Sequence, residues 1–227
     1  NSLIPEPSMS LQLFAHPFSS YCQKVLIALY ENDTPFRLRL LSAENAEALA
    51  EFQRLWPLQR FPLLLDGERT VMESSIIIEY LQRHHAGPVR LIPDAPDAAL
   101  EVRMLDRFFD LYVMTPAQKP VLDRLRPEDQ RDRFGVEEAR ALLQRSYAWL
   151  DDRLAGHTWA AGDEFSLADC AAAPALFYAD WVHPIDGTFG HLRSYRSRLL
   201  DRPSFARAVD EARPYRPLFP LGAPDRD

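Results

Sequence analysis

Four residues near the start of the chain, Ser19-Ser20-Tyr21-Cys22, have the C-x-x-C spacing of a dithiol redox motif, but a serine stands where the first cysteine would. A thiolate at that point attacks disulfides; a hydroxyl does not, so the exchange chemistry of the motif is lost. A hydroxyl can still donate one hydrogen bond and accept two. Other stretches carry residue types suited to holding a charged ligand. Glu73-Ser74 stand just ahead of an apolar periodic run, so Ser74 is expected to cap a helix whose free N–H groups can receive an anion. In Gln59-Arg60-Phe61-Pro62 the proline opens an apolar run, and Arg60 is either a carboxylate partner or a solvated cation. Ser166-Leu167-Ala168-Asp169 fits the capping-box pattern S-x-x-[DE], a folding signal with no part in catalysis. His84-His85 closes a helical pattern with no third ligand nearby in sequence, so no metal site is expected.

Composition narrows the partners. The chain has 227 residues, 47% of them apolar, enough for one large core or two modest ones. Twenty-six Lys and Arg against thirty-three Asp and Glu leave a net charge of -7, which argues against nucleic acid and against an anionic membrane surface. No apolar run approaches the ~18 residues of a membrane span, and no secretory signal is visible. Cys22 and Cys170 are far apart in sequence and suggest no disulfide framework, so a reducing, cytoplasmic location is expected. Residues 1–8, Asn-Ser-Leu-Ile-Pro-Glu-Pro-Ser, precede Met9 and look like a cloning scar.

The elements that must position these residues alternate in type. Leu11 to Ala15 has strand length, and Cys22, Val25, Leu26 and Leu29 follow at helical spacing. Phe36 to Leu41 alternates as a strand, and Ala46 to Leu55 is composed as a helix. Pro62 to Leu65 and Thr70 to Met72 flank the turn pair Asp66-Gly67, and Glu73 to His84 returns to helical spacing. The order is βαβαββα over residues 9–85. Residues 86–98, with three prolines and a glycine, read as a linker. From 99 to 227 the pattern is all helical, with Ala98 to Tyr112 and Val136 to Leu154 the clearest segments. Pro174 falls inside the helix begun by Ser166, the run from Asp123 to Arg133 reads as solvated surface, and the proline-rich tail from Arg213 reads as extended.

A small α/β unit with a motif between its first strand and first helix is the thioredoxin-like arrangement, here joined to an all-α domain. With Ser19 in the motif, this resembles the cytosolic glutathione transferases. Gln59 to Pro62 looks like that family's G-K-V-P segment, Glu73 to Leu81 its E-S-x-x-I helix start, and Phe165 to Pro174 its capping-box helix. The resemblance runs from Leu11 to Pro174 and implies glutathione as cosubstrate. It further implies that Pro62 is cis and presents the backbone of Phe61, that Ser74 holds the γ-glutamyl carboxylate with Glu73 near the ammonium, and that Arg60 pairs with the glycine carboxylate. Counting back from Lys24-Val25 assigns Ser19 as donor to the sulfur of glutathione, with Ser20 and Tyr21 as the other hydroxyls in reach. Cys22 shares a face with Val25 and Leu26 and reads as a buried, inert thiol.

The implied activity is attack by the glutathione thiolate on a small, largely apolar electrophile. Tyr112, Phe177 and Trp181 are candidates for that second pocket, although aromatics at helical spacing are more often core. Paired serines also resemble the S-S-C-x-x-R of the zeta class, the maleylacetoacetate isomerases, with Tyr21 and Lys24 as departures. A non-catalytic binding protein on the same fold would not need Ser19, Glu73 and Ser74, and a thiol reductase would want cysteine at position 19. A homodimer is the assembly the resemblance implies.

Overall fold

The computed structural model describes residues 11–227, so the eight leading residues lie outside it. Leu11–Ala15 forms β1, which pairs in parallel with β2 (Arg37–Leu40) and antiparallel with β3 (Leu63–Asp66); β3 turns through Gly67, at φ +60°, into β4 (Arg69–Met72). The sheet order is β2-β1-β3-β4. Side chains alternate across it as the pleat requires. Leu13, Leu64 and Val71 join the core of α1 (Ser20–Glu31) and α3 (Ser74–His84), whereas Phe14, Leu63 and Leu65 pack with Ala48 and Phe52 of α2 (Ala46–Leu55). Two expected boundaries move. β3 opens at Leu63, one residue after Pro62, which has no N–H for the ladder. The cap position of α3 is Glu73, and Ser74 is the first helical residue.

The remainder is helical: α4 (Pro96–Phe108), α5 (Thr115–Arg124), α6 (Arg133–Leu154), α7 (Leu167–Val182), α8 (Gly190–Asp201) and α9 (Pro203–Ala212). The fourth helix starts at Pro96, two residues ahead of the periodicity, because proline suits a first turn that needs no N–H donor. Between α4 and α5, Phe109–Met114 winds as a π-helix, and this advances the register of the face that follows. α7 is buried all round, as a helix apolar on every face should be, and it includes Pro174. Its start is a complete capping box: Ser166 Oγ accepts from Ala168 N–H at 3.2 Å, and Asp169 accepts from Ser166 N–H at 2.9 Å.

Of the two surface expectations, the solvated run 123–133 holds except at its first residue, and the extended tail does not hold. Asp123 is buried and accepts the backbone N–H of Asp132 at 2.8 Å, which fastens the loop between α5 and α6; most of the charged run around it is exposed. The tail coils into a 3₁₀ turn over Arg213–Leu218 and buries Phe219. Asp227 accepts from Arg213 at 2.9 and 3.0 Å and from Arg216, and Arg226 pairs with Asp180. Ion pairs thus hold a tail whose prolines suggested an extended course.

The two domains join through α1. Gln23 Nε2 donates to Tyr178 Oη at 3.0 Å, Tyr30 Oη donates to Glu211 at 2.6 Å, and Arg202 pairs with Glu31. Deepest is Lys24, 1% exposed, whose ammonium meets Asp106 at 2.5 Å, Asp110 at 2.9 Å and Ser75 Oγ at 2.8 Å.

Asp169 also accepts from Ala160 N–H at 2.9 Å and from the Tyr195 hydroxyl, so its removal leaves three buried donors unpaired. Ser166→Ala should cost about 1 kcal/mol, the usual value of a cap, and Asp169→Ala at least about 3 kcal/mol, at about 1–3 per stranded donor. Denaturant midpoints of the two variants would check that order.

Candidate functional site

Ser19 occupies the N-cap of α1, at φ -78° and ψ 128°, because its preceding turn is closed by Ser19 N–H to the carbonyl of His16 at 3.1 Å. Its Oγ accepts from Cys22 N–H at 3.4 Å. That long bond uses a lone pair, and the same hydroxyl stands within reach of the Cys22 sulfur. Ser19 opens onto a cavity of about 570 Å3 that Arg60, Phe61, Pro62, Glu73 and Ser74 also line. Six residues named from sequence, on three separate stretches, therefore meet in one cleft at the ends of β1, β3 and β4.

The backbone is shaped around this cleft. The Phe61-Pro62 peptide is cis. Gln59 and Glu73, both lining the cavity, hold φ of +51° and +70°, values that cost a non-glycine residue about 1–3 kcal/mol each. Strained residues persist where surrounding structure imposes them, and two of the three positive-φ non-glycine residues among those described face this one cavity. Glu73 in that conformation frees its side chain from capping and turns the N-terminus of α3 toward the cleft. The N–H groups of the first turn of α3 and the buried Ser74 make a natural seat for a carboxylate.

The three hydroxyls of the motif separate. Ser19 lines the large cavity; Ser20 does not, and is buried beside a second, apolar cavity. Tyr21 lines the large one, with its hydroxyl engaged by Thr115; burial and, after it, the Asp110 carboxylate push its pKa up, so it is a neutral phenol at physiological pH. The Cys22 thiol is fully buried and pushed up to about 12 by loss of solvent, although the Ser19 hydroxyl draws it partly back.

The far wall of the cleft is Arg107, Asp110, Leu111, Gln118 and Leu122, none of them singled out from sequence. Arg107 pairs with Asp106 at 3.1 Å and with Asp110; burial opposes its charge, but the two carboxylates outweigh that and raise its pKa. Asp110 is raised by burial despite Lys24. Lys24 is thus the shared counter-ion of a buried acidic pair. The spacing Asp106, Arg107, Asp110 was readable as a charged patch on a helix, but nothing local says that it faces inward.

Tyr112 lines neither of the two cavities that reach Ser19. It is 49% exposed and stands edge-on to Phe108 at 5.3 Å, because the π-turn brings Leu111 to the cleft and carries the next residue outward. Phe177 and Trp181 are buried and lie 4.8 Å apart in the aromatic core of α7. The second cavity, about 270 Å3, is walled instead by Phe18, Met114, Tyr178, Val182 and Phe219, and it too reaches Ser19. Among the described residues, no three His, Cys, Asp or Glu side chains gather as metal ligands would.

Comparison with known proteins agrees with this geometry. Residues 13–89 match the model of the glutathione S-transferase N-terminal domain, and residues 132–213 that of its C-terminal domain. The chain belongs to the glutathione S-transferase family. It is accordingly a glutathione transferase with glutathione as cosubstrate. It is 30% identical over 223 residues to a probable maleylacetoacetate isomerase of Vibrio cholerae, covering 91% of this chain and 98% of that protein. It is 27% identical over 206 residues to glutathione S-transferase GstB of Escherichia coli, covering 88% and 97%. A Methylobacterium radiotolerans glutathione S-transferase, solved in complex with glutathione sulfonate, superposes with a TM-score of 0.76 at 30% identity, covering 88% and 94%. One from Methylobacillus flagellatus, solved with glutathione bound, gives 0.78 at 26% identity, covering 88% and 98%.

The buried thiol carries a chemical expectation. At pH 8, four units below its pKa of about 12, roughly one Cys22 side chain in ten thousand is ionised. Native protein treated with an alkylating reagent at that pH should keep Cys22 unmodified by mass spectrometry, and denaturant should expose it to full labelling.

Proposed function

We propose that the Ser19 hydroxyl donates a hydrogen bond to the sulfur of glutathione and so holds it as the thiolate that attacks a small, largely apolar electrophile. The observation that carries this reading is the position of Ser19: at the start of α1, in the same cleft as the charged and polar groups a γ-glutamyl tripeptide needs. Ser74 and the N–H groups of α3 take the γ-glutamyl carboxylate, Glu73 the ammonium, the Phe61 backbone the central peptide, and Arg60 the glycine carboxylate. The electrophile enters the apolar cavity on the other side of Ser19.

A free thiol, with a pKa of about 8.5, is only a few per cent ionised at neutral pH. A hydrogen bond to a charged acceptor contributes roughly 1.5–3 kcal/mol, or about one to two pKa units, and the start of α1 adds about 0.3–1 kcal/mol. The sum is enough to make the bound thiol largely thiolate. The sign follows: conjugation should rise with pH through the lowered pKa of bound glutathione and then level off.

Isomerisation is the second reading, favoured by the likeness to the Vibrio cholerae protein. Against it, Tyr21 and Lys24 stand where the zeta pattern has cysteine and arginine, and Lys24 is consumed by Asp106 and Asp110. We further propose a cytoplasmic homodimer, with a ligand-binding domain through residue 85, a linker that begins at 86 and ends where α4 starts at Pro96, and a helical domain beyond it. Exposed Ile76 on α3 and Leu100 and Met104 on α4 flank the Arg103–Glu79 ion pair and supply an apolar seam for a second copy.

Ser19→Ala should raise the thiol pKa of bound glutathione by about one to two units and slow conjugation of an aryl halide by up to about tenfold at neutral pH, more at lower pH. Thiolate ultraviolet absorbance of the complex against pH gives the first number directly. An unshifted titration with intact glutathione affinity would rule out Ser19 as the donor.

A further inference from the structure

The large cleft and the apolar cavity share two lining residues, Ser19 and Gln118. Gln118 lies on α5 one turn from each of its neighbours in these walls: Met114 and Val121 line the apolar cavity, and Leu122 lines the cleft. It therefore stands on the ridge between the two spaces, across from the serine. Its side chain is half-buried and makes no hydrogen bond among the described residues, so an amide donor and an amide acceptor are both unspent. The competing polar groups are placed otherwise: Tyr21 lines the cleft alone and is engaged by Thr115, while Ser20 lines the apolar cavity alone.

We propose that Gln118 is a catalytic residue that donates its amide N–H to the electrophile's oxygen, and that the preferred electrophiles are apolar molecules whose carbonyl is conjugated to the carbon under attack. This rests on the reading that the sulfur of glutathione sits at Ser19. With the sulfur at the junction, the reacting carbon is also at the junction, and a carbonyl oxygen three bonds from that carbon is held near a residue on the ridge. In such an addition the thiolate forms a C–S bond to the β-carbon, and the C=C electron pair moves toward the carbonyl oxygen as an enolate. A proton from water then completes the α-carbon. The oxygen gains charge between reactant and transition state, so a fixed neutral donor binds the transition state more strongly than the substrate. An amide suits this position because a permanent charge facing Phe18, Met114 and Phe219 would lose far more hydration.

The experiment compares two electrophiles of similar size and apolarity, a phenyl-substituted enone and a benzyl halide, which has no acceptor oxygen. In the wild type and in Gln118→Leu and Gln118→Met, the ratio of kcat/KM for enone to that for halide is measured, together with the thiolate absorbance of bound glutathione. The ratio should fall about tenfold in both variants, the size of one lost hydrogen bond of about 1.4 kcal/mol, while bound glutathione ionises as in the wild type. An unchanged ratio, or one restored by methionine, which keeps the length of the side chain without its amide, would overturn the proposal. So would a wild type that turns over the halide and not the enone. Absence of thiolate in wild-type complexes would be a different failure, that of the Ser19 reading beneath it.

Discussion

The Lys24 ammonium is the interaction on which the arrangement depends. It lies on α1, one turn and a half from Ser19, and its three oxygen partners come from α3 and from both α4 and the π-turn that follows it. Burying an ammonium is costly, and a well-packed apolar replacement for such a cluster is often as stable, so the value of the cluster is in orientation rather than in net free energy. An apolar contact could slide; an ammonium with three oxygens has one place to be. Because Arg107 is held by the same two carboxylates, the far wall of the cleft is set by the same contact that sets the helix bearing Ser19.

Around that fixed point the site combines strained backbone with free hydrogen-bonding capacity. Gln59 and Glu73, which both line the cavity, are held at positive φ, and the hydroxyl of Ser19 is only loosely tied by its own helix. A shorter cap bond would stabilise α1 better and would orient the hydroxyl more firmly toward the backbone. The serine thus caps its own helix only weakly.

Much of this was legible in sequence where the signal is local. Short apolar runs, one alternating stretch and the Asp66-Gly67 turn located the four described strands, 3.6-residue spacing and composition located α1 to α4 and α6, and S-x-x-D at 166–169 announced its capping box. The near-wall residues were named through the resemblance to the family's motifs, and those motifs are readable because each sits at a strand-to-helix or turn-to-strand junction, where residue type and backbone geometry are tightly linked. The far wall was not. Leu111 faces the cleft and Tyr112 solvent because of a single π-turn, and no composition rule marks where a helix gains an extra residue. Nor does Asp123 look different from the exposed charges beside it, since its burial follows from a loop folding back. The tail misled for a related reason: its prolines fit a 3₁₀ turn as well as an extended strand, and distant arginine–aspartate pairs decide between them.

Both cysteines of this chain are walled off from solvent, and the motif that in other settings would carry an oxidisable sulfur at its entrance carries oxygen. The enzyme therefore keeps no thiol of its own on station between turnovers. At the motif's entrance, peroxide finds an alcohol, which it does not readily modify; the thiol arrives with each molecule of glutathione and departs with it, so thiol oxidation there falls on a replaceable small molecule.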